Sequence, residues 1–361
     1  MAPSVKLRNL LVTMGDPAGI SAEIAIKAFA TLARGKQPLA RQIRRTLRKE
    51  CANLALVGDA GVLAEAARRL RQPIPIVPVD GFATEWLPTT ALRLFAHSHI
   101  NMRGFRFGRP AYGREQLGYL DFAIEQARRG RIAAIVTGPV TKEAVAALLP
   151  DFVGHTGYLA EKLGVRDERM AFLTPDYLLA LQTTHIPLCQ VSGQLTVAGL
   201  LTSLQMLEQA GRARWGRKLT VAVLGLNPHA GEHGLMGDEE ARTIVPAMRR
   251  ARRMGIACDG PFSADSFFIE RWKRYKLILA MYHDQGLIAV KPAFPRASVN
   301  VTLGLPVVRT SVDHGSGYDI AGRGIASEVS LLCAIKAALE LLALRSGSAG
   351  HKVGKYGVRA L

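Results

Sequence analysis

Five short, nearly all-apolar runs, most of them followed by a helical pattern, constrain the fold of this chain more than any other feature. LLVTMG (10–15) leads to a helical pattern near 20–34, NLALVG (53–58) to one near 60–71, and IAAIVTG (132–138) to one near 141–149. LTVAVLGLN (219–227) leads to one near 238–254, and LILAMY (277–282) closes the series. Strands that alternate with crossover helices pair in parallel, and strands apolar at every position are covered on both faces. The expectation is an α/β protein with mainly parallel sheets flanked by helices. A chain of 361 residues has room for two such units. Residues 80–115, rich in aromatics, glycine and proline, read as an irregular excursion. Residues 193–211 read as one long helix, and the aperiodic basic tail 345–361 as disordered.

Hydrophobic residues make up 48% and charged residues 21%, the balance of a soluble globular protein, and no apolar run is long enough to span a membrane. The N-terminal MAPSVKLRNLLVTMGDPAG reads as a first strand and not as a signal peptide. Cys51, Cys189, Cys258 and Cys333 form no CxxC, which suits a reducing compartment and argues against a cysteine zinc cluster. A cytoplasmic location follows as the expectation. The net charge of +18 attracts phosphorylated metabolites and polyanions alike. It is concentrated at 34–49, which looks like an insertion, and at 249–253. With no zinc-finger spacing, RNP-type aromatic motif or basic recognition helix, a solvated basic surface is favoured over a nucleic-acid stripe.

The chemistry gathers where strands end. TTHIPL (183–188), LNPHAGEHG (226–234) and MYHDQG (281–286) each close an apolar stretch with a histidine. His185, His229 and His283 thus fall on loops at strand ends, where open α/β folds hold ligands. Three neutral imidazoles converging there would make a metal site with open positions. Taken singly, each such histidine is more often a packed or hydrogen-bonded one, and three in the same context weaken that reading.

Four further segments carry polar groups. GDPAGI (15–20) is a glycine-rich turn that lets a ligand approach closely, but it is not GxGxxG. In VTGPVTK (136–142), Thr137, Thr141 and Lys142 suit an anion at a helix start, or a plain threonine cap. GHTGYLAE (154–161) puts His155 and Thr156 at another helix start, again for a phosphate or carboxylate, or as a cap with a neighbouring histidine. In KPAFPRASVNVTLGLPVVRTSVDHG (291–315), Lys291, Asn300 and Arg309 can converge on an anionic substrate, since arginine grips phosphate or carboxylate through two parallel hydrogen bonds. Each is otherwise an ordinary salt-bridge partner.

HGSGYDIAG (314–322) closely resembles the adenosine-binding loop of isopropylmalate dehydrogenases. That resemblance sets His314 against an adenine and Asp319 against the ribose diol. More broadly, VTMGDPAGI, VTGPVTK, GHTGYLA, TTHIPL, GLNPHAGEHGLMGDEE, AMYHDQG and VNVTLGLPVVRTSVDHG stand in the order of the 4-hydroxythreonine-4-phosphate dehydrogenase family. From about residue 10 to about residue 340 the chain resembles that family. The resemblance implies a two-lobed α/β fold of the isocitrate/isopropylmalate dehydrogenase type. Residues 1–150 with 312–344 would form the lobe carrying the cofactor loops, and 151–311 the lobe carrying metal and substrate residues. It also implies a homodimer with the active site at the interface.

On the same resemblance, His185, His229 and His283 are the metal ligands. His155, Thr156, Lys291, Asn300 and Arg309 bind substrate, and His314 and Asp319 bind the cofactor, NAD or else NADP. Asp265 and Asp284 are expected to contact the substrate amine or orient a ligand. Imidazole donors favour zinc, with cobalt or magnesium as alternatives. The implied reaction is oxidation of 4-phosphooxy-L-threonine followed by decarboxylation, in pyridoxal phosphate biosynthesis. Two positions depart from the family. Gly157 stands where a glutamate is frequent, and Leu178 where an arginine is frequent. Relatives in the family oxidise phosphorylated sugar acids such as 4-phosphothreonate or 4-phosphoerythronate, which is the first rival reading. A nucleic-acid-binding protein on an inactive dehydrogenase fold is the second, and a metal-dependent hydrolase the third.

Overall fold

The computed structural model describes residues 7–347 except 153 and 296. Twelve strands form one sheet: β1 Arg8–Thr13, β2 Ala52–Asp59, β3 Ile76–Pro78, β4 Leu92–Ser98, β5 Ala134–Thr137 and β6 Arg169–Leu173, then β7 Leu178–Leu181, β8 Val221–Leu224, β9 Cys258–Phe262, β10 Leu277–Ala280, β11 Val299–Leu303 and β12 Val308–Ser311. Their order is β3-β4-β2-β1-β5-β12-β11-β6-β7-β10-β8-β9. Pairing is parallel except where β11 meets β12 and β6, and where β6 meets β7. Strands β2, β5, β7, β8 and β10 are buried at every residue, as their unbroken apolar runs require.

Adjacency in the sheet explains why motifs far apart in sequence share a place. Strands β1, β5 and β12 are neighbours and run parallel, so the loops GDPAG, VTGPVTK and SVDHG leave the same end. Strands β7, β10 and β8 are likewise parallel neighbours, so the three histidine loops leave one end together. The first group is packed tightly. A Cβ on Gly15, whose φ is +78°, would sit 2.3 Å from the carbonyl oxygen of Pro139, so only glycine lets the two turns meet.

Three expectations about local structure are corrected. Residues 80–115 are not wholly irregular, because they contain β4, which pairs in parallel with both β2 and β3. Flanking prolines and glycines hid a strand of seven residues. The long helix begins later and ends later than 193–211. A separate turn covers Val191–Gln194, and the helix Val197–Trp215 starts where Thr196 Oγ1 accepts the amide of Gly199. The helix after VTGPV covers only Lys142–Ala146.

The basic stretch at 34–49 contains the helix Pro38–Lys49, which buries Ala40, Ile43 and Leu47 and leaves Arg41, Arg45, Arg48 and Lys49 exposed. Among the described residues no helix is long and apolar enough to cross a membrane. All four cysteines are free. The final helix, Val329–Gly347, takes in residues 345–347 of the basic tail, and the rest of that tail lies outside the described residues.

Candidate active site

Arg309, in the middle of β12, is 2% exposed. Its Nη2 donates to Thr137 Oγ1 at 2.8 Å, and its Nη1 to Thr302 Oγ1 at 3.1 Å and Asn300 Oδ1 at 3.2 Å. These partners are neutral, and its buried Nε has none. Burial pulls its pKa down to about 9. A buried cation ordinarily sits against a carboxylate, because its desolvation otherwise goes uncompensated. Among the described residues this one has no such partner.

His155 and Lys142 share that pocket. His155 opens the helix His155–Lys162, and its buried Nε2 has no partner. Its pKa lies well below the ordinary histidine value, first through burial and then through the charges of Arg309 and Lys142. Lys142 reaches from its turn toward Gly154, where a Cβ would lie 3.6 Å from its Cε. Its charge also acts on His185, after burial as the larger cause, and lowers that pKa too. Lys142 therefore joins the anion pocket to the histidine loops. Thr156 is half-buried beside His155. Lys291 is exposed in the last turn of the helix His283–Ala293, and no described contact brings it to Arg309.

The histidine loops come together in part. The rings of His185 and His283 lie 5.5 Å apart between centroids. His283 Nδ1 is 2.7 Å from Asp284 Oδ1, which fixes one ring nitrogen and leaves Nε2 free. His185 holds φ 51°, a left-handed conformation that a bulky residue adopts only when its surroundings impose it. His229 lies nearer Asp265, whose pKa is lowered chiefly by a hydrogen bond from Ser263 and in smaller part by His229. Among the described residues of one chain, no three histidine, cysteine or acidic side chains form a group that would hold a metal.

The loop after β12 borders a cavity of about 320 Å³ whose lining includes Ile20, Asp313, His314, Gly317, Ile320 and Ser330. The His314 Nδ1 faces the carbonyl of Gly315 at 3.0 Å, and its Nε2 is buried without a partner. Asp319 is exposed and outside that lining, whereas Asp313 is in it, accepting a hydrogen bond from Ser298 Oγ at 2.7 Å. The far end of the loop is pinned by Glu23, which accepts the amides of Gly324 and Ala326 and pairs with Lys27.

Lys142 was read as a candidate anion contact, but nothing in the sequence linked it to His155 or His185, and one group escaped the reading altogether. Asp16, fully buried, accepts from Thr141 Oγ1 at 2.5 Å and from Tyr318, so it ties the first turn to the loop after β12. Its position beside a turn of glycines and a proline was the only available signal.

The chain is a mainly parallel α/β protein with a buried, unpaired guanidinium on β12 and the tilted imidazoles of His185 and His283 5.5 Å apart at strand ends. Residues 49–338 match the family described as pyridoxal phosphate biosynthetic protein PdxA, and the chain belongs to that family. The 4-hydroxythreonine-4-phosphate dehydrogenase of Trichlorobacter lovleyi is 36% identical, covering 93% of this chain and 98% of that one. A Symbiobacterium thermophilum protein named "Putative D-threonate 4-phosphate dehydrogenase" is 38% identical, over 90% of this chain and 94% of its own. The crystal structure of 4-hydroxythreonine-4-phosphate dehydrogenase from Klebsiella pneumoniae has a TM-score of 0.78 at 31% identity, covering 94% of this chain and 99% of that chain.

Proposed function

We propose that the protein oxidises the secondary alcohol of 4-phosphooxy-L-threonine with NAD. The product, 2-amino-3-oxo-4-phosphooxybutanoate, loses carbon dioxide to give 3-amino-2-oxopropyl phosphate, in pyridoxal phosphate biosynthesis. The observation that carries this reading is Arg309, a buried guanidinium with no carboxylate, beside His155 and Lys142. A substrate phosphate supplies the missing charge. Arg309 then donates from Nε as well as from its terminal nitrogens, and Asn300 and Thr137 keep its plane fixed. His155 and Thr156 offer further donors, and Lys291 closes the pocket from the neighbouring helix.

The chemistry of the donors fits a divalent metal, zinc first and cobalt or magnesium as alternatives. His185 and His283 are the two imidazoles already 5.5 Å apart, and His229 is the third ligand. Held by these residues, such an ion would supply Lewis acidity at the substrate hydroxyl. Asp284 orients His283 through its Nδ1. Asp265, near His229, meets the substrate amine. The cavity beside His314 fits the adenosine end of NAD, with NADP as the poorer alternative. The orphaned His314 Nε2 is the observation that supports this fit, and the candidates for the ribose contact are Asp319, as the family resemblance has it, and Asp313, which lines the cavity.

The unit is a homodimer that completes its active site across the interface. Leu188, Leu235, Ile288 and Ile269, all more than 60% exposed, follow His185, His229, His283 and Asp265 by three to six residues. Large apolar side chains at four points around one site call for a covering surface. The two lobes, 1–150 with 312–344 and 151–311, supply cofactor and metal residues respectively. The protein works in the cytoplasm without membrane or nucleic-acid partners.

A second reading, oxidation of 4-phosphothreonate or 4-phosphoerythronate, is favoured by the Symbiobacterium relative's name and by Gly157 and Leu178. Incubating the protein with each phosphorylated four-carbon acid, with NAD and NADP, and reading reduced cofactor decides between them. Turnover of 4-phosphooxy-L-threonine at the highest kcat/KM is the expected result. Higher kcat/KM with a sugar acid overturns the first reading, and no turnover of any overturns both.

A further inference from the structure

The loop that carries His229 is built in a conformation that L-residues avoid. From His229 to Gly234 six successive residues have positive φ, and four of them, His229, Ala230, Glu232 and His233, are not glycine. Such a conformation is unfavourable for each non-glycine residue, so contacts around the turn must hold it. The segment that leads into it is clamped by two consecutive carboxylates. Glu240, 5% exposed, accepts the backbone amides of Leu226 at 2.7 Å and Asn227 at 2.8 Å through Oε1. Its Oε2 accepts Asn227 Nδ2 at 2.9 Å. The same oxygen would lie 2.8 Å from a Cβ on Gly231, inside the turn. Glu240 opens a π-helical segment, Glu240–Ile244, a widened turn of the kind frequent at functional sites.

Glu239 carries the restraint further. Its Oε2 accepts the other proton of Asn227 Nδ2 at 2.7 Å, and its Oε1 accepts Ser192 Oγ at 2.5 Å. Ser192 lies on the segment that follows His185. The remaining pairs of histidine loops are also braced. Gln285 Nε2 donates to the carbonyl of Gly225 at 2.7 Å, and Thr183 Oγ1 to that of Met281 at 2.8 Å. Side-chain hydrogen bonds thus tie every one of the three loops to the other two.

We propose that Glu240 and Glu239, acting through Asn227, are positioning residues that hold the turn carrying His229 at a fixed place on its own chain's framework. The inference rests on the metal reading above, and it assigns no metal contact to either glutamate. Outer groups that orient a ligand typically contribute about 10- to 100-fold in metal affinity. In Glu240→Gln the amide nitrogen replaces an acceptor and opposes the Asn227 donor, so the clamp opens while volume and burial stay the same.

The test titrates metal-stripped protein with cobalt(II), reads the visible absorbance of the bound ion, and records the melting temperature without metal. His229→Ala is the control for the metal reading, and Glu239→Gln, a half-buried position, is the second variant should Glu240→Gln fail to fold. The expected result is a fall in cobalt affinity of about tenfold or more in each glutamine variant that folds, with an altered absorption spectrum. Unchanged affinity and spectrum in a folded glutamine variant, when His229→Ala weakens binding, overturn the positioning role alone. If His229→Ala also leaves cobalt binding unchanged, the metal reading falls and the proposal with it.

Discussion

Arg309 donates to Thr137 Oγ1 at 2.8 Å across two parallel strands, and no acid answers its charge. The pairing sets function against stability. An uncompensated buried cation destabilises the ligand-free fold, and an apolar side chain of similar volume relieves that cost. Arg309→Met is expected to keep or raise the melting temperature. Two charge-assisted hydrogen bonds to an anion are worth about 3 kcal/mol, so kcat/KM for the phosphorylated substrate should fall at least about 100-fold. Thermal melts and steady-state kinetics check the two halves. A melting temperature lowered by many degrees would show the guanidinium to be a structural pin.

His155 makes the same pocket sensitive to acid. Its folded pKa lies well below the ordinary value because of burial, then Arg309 and Lys142, so the folded state holds it neutral. The unfolded state binds the proton first as pH falls. Stability is therefore full above about 6.5 and declines below it. For one such histidine the loss between pH 6.5 and 5.5 is about 1 kcal/mol. Denaturant unfolding of the ligand-free protein should show that slope, and His155→Asn should lack it. Parallel curves for the two proteins would remove His155 from the account.

Much of this was legible in the sequence because each motif closes a strand. Apolar runs such as LILAMY and NLALVG located buried strands, and the histidines following three of them marked one end of the sheet. What sequence does not carry is strand order. Only the adjacency of β7, β10 and β8 places His185 beside His283, and only the turn of Lys142 toward Gly154 links them to Arg309. The left-handed turn at His229 was also hidden, since alanine and glutamate within it do not favour such a conformation by themselves. Glu240, eleven residues after His229, clamps the segment that leads into it.

The split between His185/His283 and His229 predicts a composite site. If a second copy supplies His229, His185→Ala and His229→Ala are each inactive alone. In a two-fold dimer formed by random mixing, half the dimers contain one of each chain, and one of their two sites is intact. Unfolding and refolding an equimolar mixture should restore about a quarter of wild-type turnover. A mixture as inactive as its components would place all three ligands in one chain. Activity of the unmodified protein should also vanish with a strong chelator and return with zinc or cobalt.

Cofactor choice turns on which carboxylate faces the adenosine ribose. Asp313 lines the cavity with His314 and is held by Ser298, whereas Asp319 stands exposed outside it with Arg323 nearby in sequence. A carboxylate accepts hydrogen bonds from the 2′- and 3′-hydroxyls of NAD and repels the 2′-phosphate of NADP. The repulsion is stronger within a cavity than at a surface, where water and salt screen it. NAD should be preferred by roughly tenfold in kcat/KM, equivalent to about 1.4 kcal/mol. Asp313→Asn keeps an acceptor for Ser298 while removing the charge, so it should bring the two cofactors close to parity. Asp319→Ser should narrow the gap less, because its charge is already screened. Kinetics and direct binding with NAD and NADP, measured on all three proteins, test the ranking. A larger shift from Asp319→Ser than from Asp313→Asn would return the ribose contact to Asp319, and equal use of both cofactors by the unmodified protein would defeat the charge argument for either residue.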